Sequence, residues 1–142
     1  MSKKNKESLW LDRSLVISPY YYRLCLTEKE FHKELKRLGI PKDQWPEWVS
    51  EGYGGTAHMF TSKYDDNACI VCIRLDKDYK IHEVNGLIVH EAVHLWQAIK
   101  RELNEKEPSP EFEAYSIQAI AQRLMGSYQD QKSKKRSNKC KL

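Results

Sequence analysis

Two rhythms of apolar and polar residues organise this chain. Between Leu15 and Leu26 a proline break is followed by Tyr20, Tyr22, Leu24 and Leu26 alternating with Tyr21, Arg23 and Cys25, the period-2 pattern of a strand. Thr27-Glu28-Lys29-Glu30 then reads as a capping box, Phe31, Leu35 and Leu38 recur at helical spacing, and Gly39 before Ile40-Pro41 ends the helix. Pro41 to Val49 is a connection with a short helical turn, and Glu51 to Gly55 is a loop. Thr56–Ser62 and Ala68–Leu75 read as two strands of a hairpin joined by Lys63-Tyr64-Asp65-Asp66-Asn67. A long helix is predicted from about Glu83 to Arg101 and a last one from Pro110 to about Tyr128, with Ser109 as cap and Pro110 in the first turn. Residues 1–8 and those from 131 onward lack apolar periodicity and are expected to be disordered, which leaves one domain over 9–130. The order of elements predicts an α+β fold with a small sheet containing antiparallel strands.

The segment Gly86–Gln97, GLIVHEAVHLWQ, lies in the most continuously apolar part of a chain whose mean hydropathy is −0.75. His90, Glu91 and His94 would there have to leave water, at a cost of several kcal/mol or so unless each finds a partner. Residues four apart on a helix are separated by about 40° in azimuth and 6 Å in rise, so the two imidazoles face one point. A Zn²⁺ ion at that point would satisfy both rings, and Glu91, about 100° round the axis from His90, is placed as a general base rather than a ligand. The alternative is that His90 and His94 are hydrogen-bonded core histidines and that Glu91 pairs with a Lys or Arg.

A two-histidine site needs a third protein ligand. Among Glu102, Glu105, Glu107, Glu111 and Glu113, helical phase favours Glu113, which shares the stripe of Ile117, Ile120 and Leu124, with Glu111 as the fallback. His58 and Tyr115, or Tyr53, are candidate oxyanion donors, and packing or surface roles are open for each. In a strand, Cys69 and Cys72 point to opposite faces, which argues for core and edge thiols rather than half of a second zinc site.

His90-Glu91-Ala92-Val93-His94 followed by Glu113-Ala114 opening a second helix resembles the gluzincin branch of the zincin metallopeptidases, in a minimal intracellular form. HEAVHLWQ with EFEAYSIQ also resembles small phage or prophage metallopeptidases. The resemblance covers about residues 83–125. It implies a zincin-like domain with the sheet packed on the motif helix and the Glu-bearing helix, one Zn²⁺ held by His90, His94 and Glu113, Glu91 as the catalytic residue, and a protein or peptide substrate. It differs from metzincins, since Leu95–Lys106 contains neither glycine nor histidine. A deformylase-type Cys segment is likewise not matched by Ala68–Cys72.

Charge and composition refine this picture. The formal net charge is +4, but Met1–Ser8 carries +2 and Lys132–Leu142 carries +6, leaving 15 basic and 19 acidic residues between them. The basic tail could engage nucleic acid through phosphate contacts, though no aromatic follows Tyr128 to stack on bases. A non-catalytic zinc-binding or phage accessory module acting through that tail is the alternative to an enzyme. Neither a signal-peptide pattern nor a membrane helix is expected, and the compartment predicted is the cytoplasm, that of the host if phage-encoded.

Overall fold

The computed structural model describes residues 18–140. The expectation of disorder for residues 1–8, like the first residues of the segment from Leu15, lies outside them. Among these residues, strands and helices follow in the order β1 (Tyr20–Cys25), α1 (Glu28–Leu38), β2 (Gly55–Thr61), β3 (Asn67–Ile73), α2 (Ile81–Glu102) and α3 (Pro110–Lys139), with a 3-10 turn at Lys42–Gln44 between α1 and β2. The fold is α+β, built on a small mixed sheet.

The strands stand in the order β1-β3-β2. β3 pairs antiparallel with β2 through the expected hairpin (Ala57 opposite Val71) and parallel with β1 (Leu24 opposite Val71). Being central, β3 is covered on both faces, which explains the unbroken apolar run Ala68-Cys69-Ile70-Val71-Cys72-Ile73. Its alternation divides the core in two. Cys69, Val71 and Ile73 pack with Leu24, Leu26 and the inner faces of α2 and α3, whereas Ala68, Ile70 and Cys72 pack with Cys25 and the α1 residues Phe31, Leu35 and Leu38.

Local signals set the ends of the helices. The Thr27 hydroxyl accepts from the Glu30 N–H at 3.2 Å, while the Glu30 carboxylate reaches back to the Leu26 N–H rather than completing the box on Thr27. Gly39 closes α1 with φ 73°, the left-handed conformation that favours glycine, and a Cβ there would lie 2.6 Å from Lys63 Cδ. Glu34 is buried yet bonded, accepting from Arg37 Nε at 2.7 Å and from Arg23. Glu83 accepts from the Lys80 N–H at 2.7 Å, which starts α2 two residues earlier than expected. Ser109 accepts from the Phe112 N–H at 3.3 Å and Pro110 opens α3, as predicted.

Two expectations change. α3 continues to Lys139, eleven residues past Tyr128 and through most of the segment expected to be disordered. No Gly or Pro interrupts it after Gly126, and its last-turn cations Arg136 and Lys139 suit the negative end of the helix dipole. Cys69 and Cys72 do point to opposite faces, but neither is an edge thiol, because β3 is the middle strand.

Burial raises the Cys25 thiol to about 11 and that of Cys69 to about 12, and pushes Cys72 up as well. The folded chain therefore keeps protons that the unfolded chain releases above about pH 9. Stability contributed by these thiols is intact below that pH and falls as pH rises toward 11 to 12, by up to about 1.4 kcal/mol per thiol per pH unit. The urea midpoint should drop between pH 8 and pH 10, and a variant with all three cysteines replaced by Ala should show a flatter pH profile. Equal profiles in the two proteins would contradict thiol desolvation.

Candidate metal centre

The apolar side of α2 is formed by Val84, Ile88, Ala92, Leu95 and Ile99, all buried against the sheet and α3. His90 and His94 lie well over 90° from the middle of that stripe and are exposed, while Glu91, one residue on, swings about 100° toward it and is only 4% exposed. The apolar surroundings of the motif therefore do not bury the two imidazoles, as the sequence suggested. They bury the carboxylate alone.

The two rings meet at their tips. His90 Nε2 and His94 Nε2 are 3.2 Å apart, with ring centroids 4.9 Å apart and planes crossing at 73°. Two imidazole nitrogens on one tetrahedral zinc, each at 2.0–2.1 Å, would be separated by about 3.3 Å. The pair thus already has the separation that a shared ion requires. Gln97, one helical turn beyond His94, directs its side-chain carbonyl at His94 Nδ1 across 3.1 Å. A carbonyl only accepts, so Nδ1 carries a proton, and Nε2 is the nitrogen that meets His90.

Glu91 rests against the edge strand β2. A Cβ added to Gly55 would lie 2.8 Å from Ile73 Cδ1 on β3 and 3.4 Å from Glu91 Cγ, so the glycine spares a clash inside the sheet while Glu91 packs beside it at contact distance. Burial pushes the Glu91 carboxyl upward, and the charges of His90 and His94 and the Ala57 N–H act in the opposite direction. The Gly54 carbonyl accepts from Arg74 N–H and Ser62 N–H donates to the Asp66 carbonyl, each at 2.8 Å. Even-numbered residues of β2 therefore turn their main chain to β3, and Gly55, Ala57 and Met59 turn theirs outward, on the edge beside Glu91.

Glu113 is not brought to the histidines. Its carboxylate accepts from Trp96 Nε1 at 2.9 Å and lies 3.7 Å from Lys100 Nζ. Trp96 is about 200° round α2 from His94, so α3 meets the motif helix on a different flank. Glu111 is exposed, and among the described residues no three His, Cys, Asp or Glu side chains are grouped to hold an ion. The donor set thus fits a metal with two imidazoles and supplies no third protein ligand. The alternative reading also fails, since the histidines are exposed and Glu91 makes no ion pair with Lys or Arg among the described residues.

The candidate oxyanion donors are elsewhere. His58 faces α1 on the other side of the sheet, 2.9 Å from the Trp48 carbonyl and stacked on Phe31 with centroids 4.8 Å apart. Burial lowers its pKa, which the Trp48 contact partly offsets. Tyr115 and Tyr53 are 66% and 68% exposed, and neither donates a side-chain hydrogen bond to His90, Glu91 or His94 among the described residues. Sequence reasoning missed Gly55, Ala57, Gln97 and Trp96. The Gly54-Gly55 pair opening a strand and the i, i+3 spacing of His94 and Gln97 were the available signals. Two shallow grooves, one of about 480 Å³ between β1 and α3 and one of about 530 Å³ at the end of α2, are lined by neither histidine nor Glu91.

No protein family, curated protein or solved structure matches the chain.

Proposed function

We propose that the chain is a zinc-dependent peptide hydrolase, with His90 and His94 holding the ion and Glu91 moving the proton. The observation that carries this reading is the 3.2 Å separation of the two Nε2 atoms above a buried carboxylate seated on a strand edge. When bound, zinc supplies a Lewis acid that polarises a carbonyl and acidifies water. Glu91 accepts the water's proton on its carboxylate and delivers it to the leaving amine. Its partial desolvation suits it to both roles, because burial raises the carboxyl above its ordinary value and so makes it a better proton acceptor. The Ala57 N–H is engaged by Glu91, and the other outward main-chain groups of Ala57 and Met59 provide a donor and acceptors on which an extended peptide can be laid as an added strand. Gln97 engages His94 Nδ1, which directs Nε2 to the side where His90 stands.

Without Glu113 the pair falls short of the three protein ligands of usual catalytic zinc sites and of the four of structural ones, so the second reading is a module that binds zinc without catalysis. Zinc titration by calorimetry, paired with elemental analysis, tests the ion in both cases. One equivalent is expected in the unaltered protein. Binding should disappear in His94→Ala and weaken about tenfold in Gln97→Ala, the size of an outer-shell loss. Affinity in Glu113→Ala should stay within about threefold, as expected of a carboxylate engaged by Trp96. Full zinc binding by His94→Ala would remove the proposed site.

A further inference from the structure

Past Gln131, α3 packs little against the body: Lys132 Nζ stands 5.9 Å from the Tyr128 ring centroid, and the residues beyond it are exposed. Tyr128 is its last buried residue, and Gln131, whose Nε2 donates to the Leu24 carbonyl at 3.1 Å, is the last to touch the sheet. From Lys132 to Lys139 every residue is exposed. That stretch holds five cations and no acid, while the body of the chain carries more acidic than basic residues. None of the five makes an ion pair among the described residues.

Their spacing is specific. Lys132, Lys135, Arg136 and Lys139 stand at i, i+3, i+4 and i+7, so all four share one stripe of the helix. Like charges at these spacings destabilise an isolated helix, and only the last-turn pair gains from the helix dipole, so helix stability does not explain the stripe. The stripe is about 10 Å long at 1.5 Å per residue. Duplex nucleic acid presents about one phosphate charge per 1.7 Å of axis, and its major groove admits an α-helix. Of the remaining positions, Lys134 adds a fifth cation off the stripe, and Ser133, Ser137 and Asn138 are short hydrogen-bonding side chains that can contact phosphate oxygens. No apolar residue occurs from Gln129 to Lys139, so this helix has no face to sink into a bilayer. No aromatic is present to stack on unpaired bases, which favours a duplex over a single strand.

We propose that the Lys132–Lys139 stripe is a binding surface for the phosphate backbone of duplex nucleic acid, without base specificity. It is independent of the metal centre.

The test is fluorescence anisotropy of the full chain with a labelled mixed-sequence DNA duplex from 50 to 200 mM NaCl. Affinity should fall about 100-fold over that range, as release of about four counterions requires. Replacing Lys132, Lys135, Arg136 and Lys139 together by Gln should reduce binding at least about 50-fold at 50 mM and flatten the salt dependence. A matched variant with the exposed Lys29, Lys33, Lys42 and Lys77 changed to Gln should bind within about threefold of the unaltered chain. Circular dichroism of both variants establishes that each is folded. Failure to bind the duplex, an equal loss in both variants, binding to phosphatidylserine vesicles alone, or self-association alone in sedimentation would each overturn the proposal.

Discussion

Glu91→Gln should reduce peptide hydrolysis by about 10²–10⁴-fold, the contribution expected of a positioned proton-transfer group, while leaving zinc stoichiometry unchanged. It should also make the protein more stable near neutral pH. Glu91 is buried against Gly55 and Ala57, and desolvation raises its pKa. A carboxyl whose folded pKa is raised contributes fully to stability below its ordinary value and becomes unfavourable as pH rises through the folded value. Glutamine has the same shape without the charge and can still accept from the Ala57 N–H. The gain in Tm should therefore be present at pH 7 and vanish near pH 4. The measurements are cleavage of casein-derived fluorogenic peptides, zinc content, and thermal unfolding at both pH values. Unaltered cleavage with intact zinc would eliminate the catalytic role, and with it the enzyme reading in favour of the binding module.

The second large effect is on the fold. Trp96 is 2% exposed, its indole meets Phe112 edge-on at a centroid distance of 5.5 Å, and its N–H holds Glu113. Trp96→Ala removes a large aromatic from the joint between α2 and α3 and should cost about 3–5 kcal/mol. At about 3 °C per kcal/mol for a chain of this size, Tm should fall by about 10–15 °C. Trp96→Phe keeps most of the packing and removes the N–H donor, so about 1–2 kcal/mol should be lost. The half-exposed Glu113 can rehydrate, which limits that loss. Urea unfolding of the two variants separates the contributions. Equal losses would show that the hydrogen bond, rather than the packed ring, secures the joint.

The parts of the molecule legible in the chain are those governed by neighbours in sequence. Thr27, Gly39, Ser109 and Pro110 mark helix ends because capping involves backbone groups only a few residues away. The hairpin from Thr56 to Leu75 follows from two β-rich runs around a short polar turn. The convergence of His90 and His94 follows from the pitch of one helix. Other features depend on how elements meet. The parallel pairing of β1 with β3 spans more than forty residues, and the face that His58 occupies depends on which side of the sheet α1 covers. The extension of α3 past Tyr128 was missed because apolar periodicity signals burial, and a solvent-exposed helix carries none.

The placement of Glu113 shows the same limit at the candidate site. Its phase on α3 correctly aligned it with Ile120 and Leu124, residues that pack inward. Phase within one helix does not determine which flank of a neighbouring helix it will face. That depends on the packing of Trp96, Phe112, Ile120 and Leu124 together, and this packing sets Glu113 on the indole.

By itself the sequence determined the helix that carries two imidazoles to one point, the hairpin strands beside it and the caps that bound the helices, because each is written in residues close together in the chain. Only the tertiary structure decided that the histidines stay in water, that Glu91 is pressed onto a strand edge and that Glu113 is engaged by Trp96. Those outcomes depend on the relative rotation of packed elements, which arises from many weak contacts between residues distant in the chain.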